Sequence, residues 1–415
     1  MPELQPVRGT QDLLPETMRR HRRVSDTARE LAALYGFAEI ATPVFEFTEV
    51  FARPIGEHTD IVAKEMYTFQ DRGGEEITLR PENTAGVVRA VLSNGLTQST
   101  PLKFFYSGPM FRYERPQKGR FRQFHQIGVE ILGVAQPQAD IEIIALGHRI
   151  LKRLGIADRV TLEINTLGDP ESRARYRDQL VAYFSKYKSD LSEDSQRRLE
   201  TNPLRILDSK DPKDRALIQA SPNYQQFLSG NSLRFSDQVN QGLDTLGIKY
   251  RINPRLVRGL DYYTHTVFEF VTTDLGAQGT VLAGGRYDGL VELMGGPSMP
   301  GVGWAAGIER LALLIDEPPM PPRAVALVPL GDAAERAALL LGETLRDSGL
   351  AVELTYSGNL QRRMRRADRI GARAAVLIGD NELAQNAATV RDLDSGAQDL
   401  VPVGDLPARL KALTG

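Results

Sequence analysis

The stretch FFYSGPMFRYERPQKGRFRQFHQIGVEILG, Phe104 to Gly133, consists of two apolar runs around a basic, glycine-containing turn, the pattern of a long β-hairpin. Side chains alternate across a strand. Arg112 and Glu114 therefore fall on one face of the first run, and Phe124, Gln126, Gly128 and Glu130 on one face of the second. If the register joins those faces, Arg112, Gln126 and Glu130 share a surface, and Gly128 leaves in it a gap the size of a side chain. Such a surface would floor a polar ligand. The alternative is a solvated outer face with routine cross-strand ion pairs. Phe111, Tyr113, Phe121 and Phe124 weigh against that, because they imply a sheet covered on both sides, where an unpaired carboxylate is costly. The turn RPQKGR adds three cations and Gly119, which suits it to phosphate.

The 415 residues are enough for a sizeable core and several domains, and 25% charged with 41% hydrophobic residues is ordinary globular composition. With 51 basic against 53 acidic side chains there is no global field to attract a polyanion, so any such partner must be held by local patches. The absence of cysteine excludes disulfides, thiolate metal sites and cysteine nucleophiles. The five histidines lie far apart in sequence with no HExxH pair, so no metal site is expected. Neither a signal-peptide core nor an apolar run of about 18 residues is present, and a cytoplasmic protein without membrane contact is expected.

Outward from the hairpin, Pro15 and Gly36 bracket an amphipathic helix, and FAEIATPVFEF alternates like a strand that Pro43 confines to an edge or an interface. DIEIIALGHRILKRLG predicts a helix ending at Gly155, and VTLEINTLGD a strand. Residues 169–247 turn charged and helical, which marks an inserted module. The segment DEPPMPPR carries four prolines in eight residues and reads as a stiff boundary. The expected domains are therefore 1–322, interrupted by the insertion, and 323–415. The latter reads βαβαβ followed by a hairpin at Ser395 and Gly396.

Five further stretches carry polar chemistry. RGLDYYTH, Arg258 to His265, crowds a guanidinium, a carboxylate and two phenols where neither a turn nor a core strand has use for them all. GVGWAAGIERLALLI fits neither GxGxxG nor a P-loop. Its glycines point to close helix–sheet packing, and Arg310 behind them to an anion. LAGGRYDGLVELMGG offers Asp288 as an N-cap and leaves Tyr287 unexplained, whereas in LRPENTAGVVRA capping could account for Glu82 and Thr84. NLQRRMRRADR places Arg362, Arg363, Arg365, Arg366 and Arg369 on one helix, either a solvated face or a polyanion contact.

Taken together, EIATPVFEF, FRYER with its basic loop, and GVGWAAGIER resemble motifs 1, 2 and 3 of the class II aminoacyl-tRNA synthetases. With VRGTQDLLP, LRPENT, RGLDYY and GGRYDGL the whole chain is similar to the histidyl-tRNA synthetase family. The resemblance implies an α+β catalytic domain with an antiparallel six-stranded sheet flanked by helices, a helical insertion, a C-terminal α/β anticodon-binding domain, and a homodimer formed through motif 1. It implies ligation of L-histidine to tRNA(His) with ATP as substrate and Mg2+ on the phosphates. Arg112 would hold the α-phosphate and Arg310 the γ-phosphate, with Glu114 in the same ATP site. Arg258 would bridge the histidine carboxylate and the α-phosphate, which makes Arg258 and Arg112 the catalytic pair. Glu82, Thr84 and Gln126 would take the α-amino group, and Glu130, Tyr262, Tyr263 and Tyr287 would frame the imidazole. Arg115 and Gln117 would meet the tRNA acceptor end, and Arg362 and Arg365 would contact tRNA from the C-terminal domain. A regulatory relative that senses histidine without ligating it lacks the C-terminal domain and the ATP arginines; Arg112, Arg310 and residues 323–415 argue against that reading here.

Overall fold

The computed structural model describes residues 3–55, 61–117, 119–209, 211–257, 262–276 and 279–414. It divides into two compact units, Met1–Pro318 and Pro319–Gly415, which meet within the proline-rich segment. In the first unit the strands are β1 (Ala38–Glu39), β2 (Phe45–Phe47), β3 (Tyr67–Gln70), β4 (Glu76–Leu79), β5 (Leu102–Phe111), β6 (Gln123–Leu132), β7 (Thr161–Thr166), β8 (Tyr250–Ile252), β9 (Thr264–Val271), β10 (Thr280–Arg286) and β11 (Gly301–Gly307).

The main sheet has the order β1-β5-β6-β11-β10-β9-β7-β8. Its six central strands are antiparallel, and β1 and β8 each add one parallel strand at an edge. The expected six-stranded antiparallel sheet is therefore corrected to an eight-stranded mixed one. Two- and three-residue strands carry no alternation signal, so sequence periodicity could not reveal them. A parallel neighbour also needs a long crossover, and for β7 to β8 the inserted helices supply it.

β5 and β6 pair over their full length, from Leu102↔Leu132 to Phe111↔Gln123. Alternation then sorts β6 cleanly. Ile127, Val129 and Ile131 face a helical layer, where they pack with Val24 and Ala28 of helix Pro15–Leu34 and Ile143 and Ile150 of helix Gln138–Arg153. Trp304 of β11 is fully enclosed in that layer and donates its indole N–H to the Ile143 carbonyl at 2.9 Å. Gln126, Gly128 and Glu130 point to the opposite face.

Helices Pro170–Phe184, Glu193–Thr201, Pro212–Gln219 and Gly230–Thr245 occupy the insertion. Each starts where Asp169, Ser192, Asp211 or Ser229 accepts a main-chain N–H of the first turn, which is why the segment is helical despite its sparse apolar content. The insertion is not one separate body. Val239 and Leu243 of its last helix join the main core, while Tyr176, Leu180 and Phe184 of its first helix share a second core with Tyr262, Tyr263 and Tyr287.

The second unit is a five-stranded sheet, β12 (Val325–Pro329), β13 (Val352–Leu354), β14 (Ala374–Ile378), β15 (Ala387–Asp392) and β16 (Gln398–Pro402), in the order β13-β12-β14-β15-β16. The first three strands are parallel and the last two form the expected hairpin, with Gly396 in the left-handed region.

Arg286, at the end of β10, has no exposed surface. Its Nε lies 3.1 Å from Asp140 Oδ2, Nη2 also bonds that carboxylate, and Nη1 donates to the Val134 carbonyl at 2.9 Å and to Asp288 Oδ1 at 3.0 Å. Asp288 is thus a partner of Arg286 and not the expected helix cap, which is Gly289. A buried pair stripped of one member leaves an uncompensated charge. Asp140→Ala is therefore expected to cost about 3–5 kcal/mol in urea unfolding, with much of the loss regained when Arg286→Met is added. A cost below about 1 kcal/mol for the single variant would mean that the pair does not secure this end of the sheet.

Candidate active site

On the face of β6 that carries Gln126, Gly128 and Glu130 lies a cavity of about 260 Å³ whose lining includes Glu82, Thr84, Arg112, Glu114, Arg120, Gln126, Tyr262, Tyr263, Glu269 and Arg310. Arg112 sits one residue beyond β5. Its Nε donates to the Pro81 carbonyl at 2.8 Å, and the guanidinium lies 5.3 Å from the Phe124 ring centre. Arg310 follows β11 in helix Ile308–Leu314 and donates from Nη1 to the Thr280 carbonyl at 2.7 Å. Burial, and then the proximity of Arg120 and Arg112, pull the Arg310 guanidinium below its ordinary pKa. Three guanidiniums, two from the β5–β6 connection and one from helix Ile308–Leu314, thus converge on one wall. Glu114 tempers them, with an ion pair to Arg120 and an oxygen 3.9 Å from Arg112 Nη1. Arg120, read from sequence only as one of the turn's cations, is part of this wall.

The other end is built around carboxyls and phenols. Glu82 accepts the main-chain N–H groups of Thr84 at 2.6 Å and Ala85 at 2.9 Å, so it does cap helix Thr84–Ser93 while also lining the cavity. Burial raises its pKa, and those N–H groups offset part of the rise. Among the described residues, Gln126 Oε1 is buried with no hydrogen-bond partner, an acceptor open to a donor from a ligand. The rings of Tyr262 and Tyr263 lie 4.8 Å apart, and Tyr262 meets Tyr287 edge-on at 5.7 Å.

Glu130 and Tyr287 stand behind the lining. Glu130 has no exposed surface; it accepts Thr84 Oγ1 at 2.7 Å and the Tyr287 hydroxyl, with the Tyr106 hydroxyl at 3.5 Å. Burial pushes its pKa up to about 8. The phenols of Tyr106 and Tyr287 are raised as well, burial first and the Glu130 charge second, so both stay protonated as donors. The glycines are explained by this group. Gly303 pairs with Glu130 across the sheet, and a Cβ there would overlap the Glu130 carboxyl; at Gly301 it would strike the Tyr287 ring. The gap expected at Gly128 is filled by the Tyr106 ring. Sequence alternation misses Tyr106 because it lies on the partner strand, directly opposite Gly128.

Arg258 and Asp261 lie outside the described residues. Arg115 and Gln117 are exposed on the β5–β6 loop, where the Gln117 N–H reaches the Arg120 carbonyl at 3.1 Å. In the second unit, Arg362, Arg365, Arg366 and Arg369 are exposed on helix Leu360–Arg369. Arg363 is not: it is buried, donates to the Gly358 carbonyl at 2.8 Å and pairs with Glu335 at 2.5 Å, so it leaves the proposed polyanion face. The fold also joins two histidines that are distant in sequence. His21 and His125 stack edge-on at 5.5 Å beside Glu309, with possible ligand atoms within 4.8 Å of one another. Glu309 accepts the His125 main-chain N–H at 2.9 and 3.0 Å and lies 2.9 Å from His125 Nδ1. The group ties β6 to the helix of Arg310.

The profile of the histidyl-tRNA synthetase family matches residues 9–311, so it spans the sheet, the insertion and every described residue around the cavity. The chain belongs to the histidyl-tRNA synthetase family. A second profile, an anticodon-binding domain, matches residues 324–413. The chain is 58% identical to a histidine–tRNA ligase of Gluconacetobacter diazotrophicus over all of both chains, and 58% identical to one of Rhodospirillum rubrum over 97% of each. The apo crystal structure of S. aureus histidyl-tRNA synthetase superposes with a TM-score of 0.83 at 37% identity, covering 99% of this chain and all of that one. As a member of this family the chain is a ligase, with a class II catalytic unit and an anticodon-binding domain.

Glu130 gives the site a pH signature. Its folded pKa of about 8 exceeds the ordinary 4.5, so between those values the folded chain holds a proton that the unfolded chain has released. That stabilisation is full below about pH 4.5 and lost as pH rises through about 8. Glu130→Gln, neutral at every pH, is expected to flatten this window in urea unfolding followed from about pH 5 to 8.5. The same pH slope in both proteins would contradict a protonated Glu130.

Proposed function

We propose that this chain activates L-histidine with ATP, forming histidyl-adenylate and pyrophosphate, and then transfers histidine to the 3′ end of tRNA(His). The observation that carries the reading is one cavity with converging guanidiniums at one end and, at the other, a buried Gln126 acceptor, without a partner among the described residues, beside Glu82 and Thr84. The first end fits a triphosphate and the second an ammonium.

In the first step a histidine carboxylate oxygen attacks the α-phosphorus and pyrophosphate leaves, so both reactants are anions and charge builds on the phosphoryl oxygens. Arg112 and Arg310 are already anchored to carbonyls, so they need little reorganisation; removing one preorganised donor typically costs roughly 10²–10³ in rate. Family resemblance assigns the bridge between carboxylate and α-phosphate to Arg258. Mg2+ would enter on the phosphates and spread their charge, with Glu114 and Glu269 the carboxylates at hand in the cavity.

Histidine is told from other amino acids by its two ring nitrogens, which need one acceptor and one donor. Tyr263 lines the cavity, and Glu130 with Tyr287 stands one hydrogen bond behind Thr84. A site of buried polar groups rejects analogues that leave them unpaired by roughly 10⁴–10⁵. In the second step the terminal ribose hydroxyl of tRNA attacks the aminoacyl carbonyl and AMP leaves. In this reading Arg115 and Gln117, exposed on their loop, would meet the acceptor end, and Arg362 and Arg365, exposed on their helix, would contact tRNA from the C-terminal unit. Homodimerisation is part of the proposal: Phe45, Phe47 and Phe69 of the β2-β4-β3 sheet are about half exposed, an apolar surface at motif 1 that a second copy would cover. Among the described residues no helix is long and apolar enough to cross a membrane, and the proposed site of action is the cytoplasm.

ATP–pyrophosphate exchange with each of the twenty amino acids tests the assignment. Histidine alone is expected to support it, and exchange with another amino acid but not histidine would refute the pocket. Glu130→Ala is expected to impair histidine use far more than ATP use; equal losses would make Glu130 merely structural. Deleting residues 323–415 should spare adenylate formation and depress tRNA charging, and undiminished charging would remove the C-terminal unit from tRNA recognition.

A further inference from the structure

The inserted helices reach the tyrosines of the histidine pocket by three routes. First, Tyr176, Leu180 and Phe184 of helix Pro170–Phe184 belong to the same apolar cluster as Tyr262, Tyr263 and Tyr287. Second, the entry to the insertion clamps the start of β9: the Leu167 N–H donates to the His265 carbonyl at 2.6 Å, and the His265 N–H to the Gly168 carbonyl at 2.8 Å. His265 has φ +41°, a left-handed conformation that a side-chain-bearing residue keeps only when its surroundings impose it. A register shift between Gly285↔Val267 and Arg286↔Thr264 lies at the same point, so the chain leaves the sheet there and Tyr262 and Tyr263 turn into the cavity. Third, Arg173 donates from Nη1 to the Tyr263 carbonyl at 3.2 Å. The start of its helix is pinned, because Asp169 accepts the Ser172 N–H at 2.8 Å and the Ser232 hydroxyl at 3.0 Å.

We propose that Arg173 is a positioning residue for histidine selection: fixed by the first inserted helix, its guanidinium holds the Tyr263 carbonyl and so sets where the Tyr263 phenol stands. This rests on reading the cavity as a histidine site. Arg173 is not part of that cavity's lining and acts through Tyr263. It instead borders a separate open cleft of about 390 Å³ with Arg177, Asn202 and Thr264, so small solutes can reach its position. That gives the insertion a part in amino-acid selection that does not depend on RNA.

The test is histidine-dependent ATP–pyrophosphate exchange without tRNA, in wild type, Arg173→Ala and Arg173→Lys. Arg173→Ala is expected to raise KM for histidine about tenfold or more, with KM for ATP within about twofold, as for a lost charged hydrogen bond acting on one substrate only. Arg173→Lys, which keeps the charge and most of the volume, should show a smaller rise and covers the case in which the alanine variant fails to fold. Guanidinium chloride at millimolar levels should lower KM for histidine in Arg173→Ala where equal sodium chloride does not. Histidine KM values within about twofold of wild type, or parallel rises for histidine and ATP, would overturn the proposal while leaving the ligase reading intact. Wild-type protein that shows no exchange with histidine would overturn both.

Discussion

A carboxyl group at the centre of a β-sheet, with no exposed surface, must be surrounded by donors, and much of the site is arranged to meet that requirement for Glu130. Room comes first. Gly303 faces it across β11, and Gly301 admits the Tyr287 ring beside it. Donors come next, with hydroxyls from Thr84 and Tyr287 drawn from segments about 46 and 157 residues away. Since Thr84 opens the helix that Glu82 caps, and Tyr287 follows the buried Arg286, the one carboxyl links the Glu82 end of the cavity to the anchored end of β10.

The opposite wall is an electrostatic problem solved differently. The chain carries a net charge of −2, so nothing global draws a nucleotide in. Arg112, Arg120 and Arg310 are instead gathered locally, against their mutual repulsion, by the carbonyls of Pro81 and Thr280 and by Glu114. Repulsion built into the unliganded site is relieved by an anion. This is the sense in which such a wall favours a polyanion.

Topology connects the two ends to the rest of the molecule. The crossover from β7 to β8 is the helical insertion, so the segment that looks most detachable in sequence completes the sheet and packs behind the tyrosines. A parallel edge strand cannot be reached by a tight turn, and the length of the insertion serves that geometry whatever else it contacts.

Elements governed by local rules were legible in the sequence. Pro15 and Gly36 bracket their helix, and the β5–β6 alternation separates Ile127, Val129 and Ile131 from Gln126, Gly128 and Glu130. What followed from non-local packing was not. Tyr106 fills the space at Gly128 only because the register sets them opposite; Arg363 turns inward only because Glu335 and the Gly358 carbonyl await it; and His21 meets His125 because a helix some hundred residues away lies across β6. The sequence by itself determined which residue types were available and which face of each strand or helix they share, because those depend on periods of two and 3.6 residues. Only the tertiary structure decided which polar groups end up buried together, and so which carboxyl is held near pKa 8 and which arginines share one wall, because burial and register are properties of the assembled sheet.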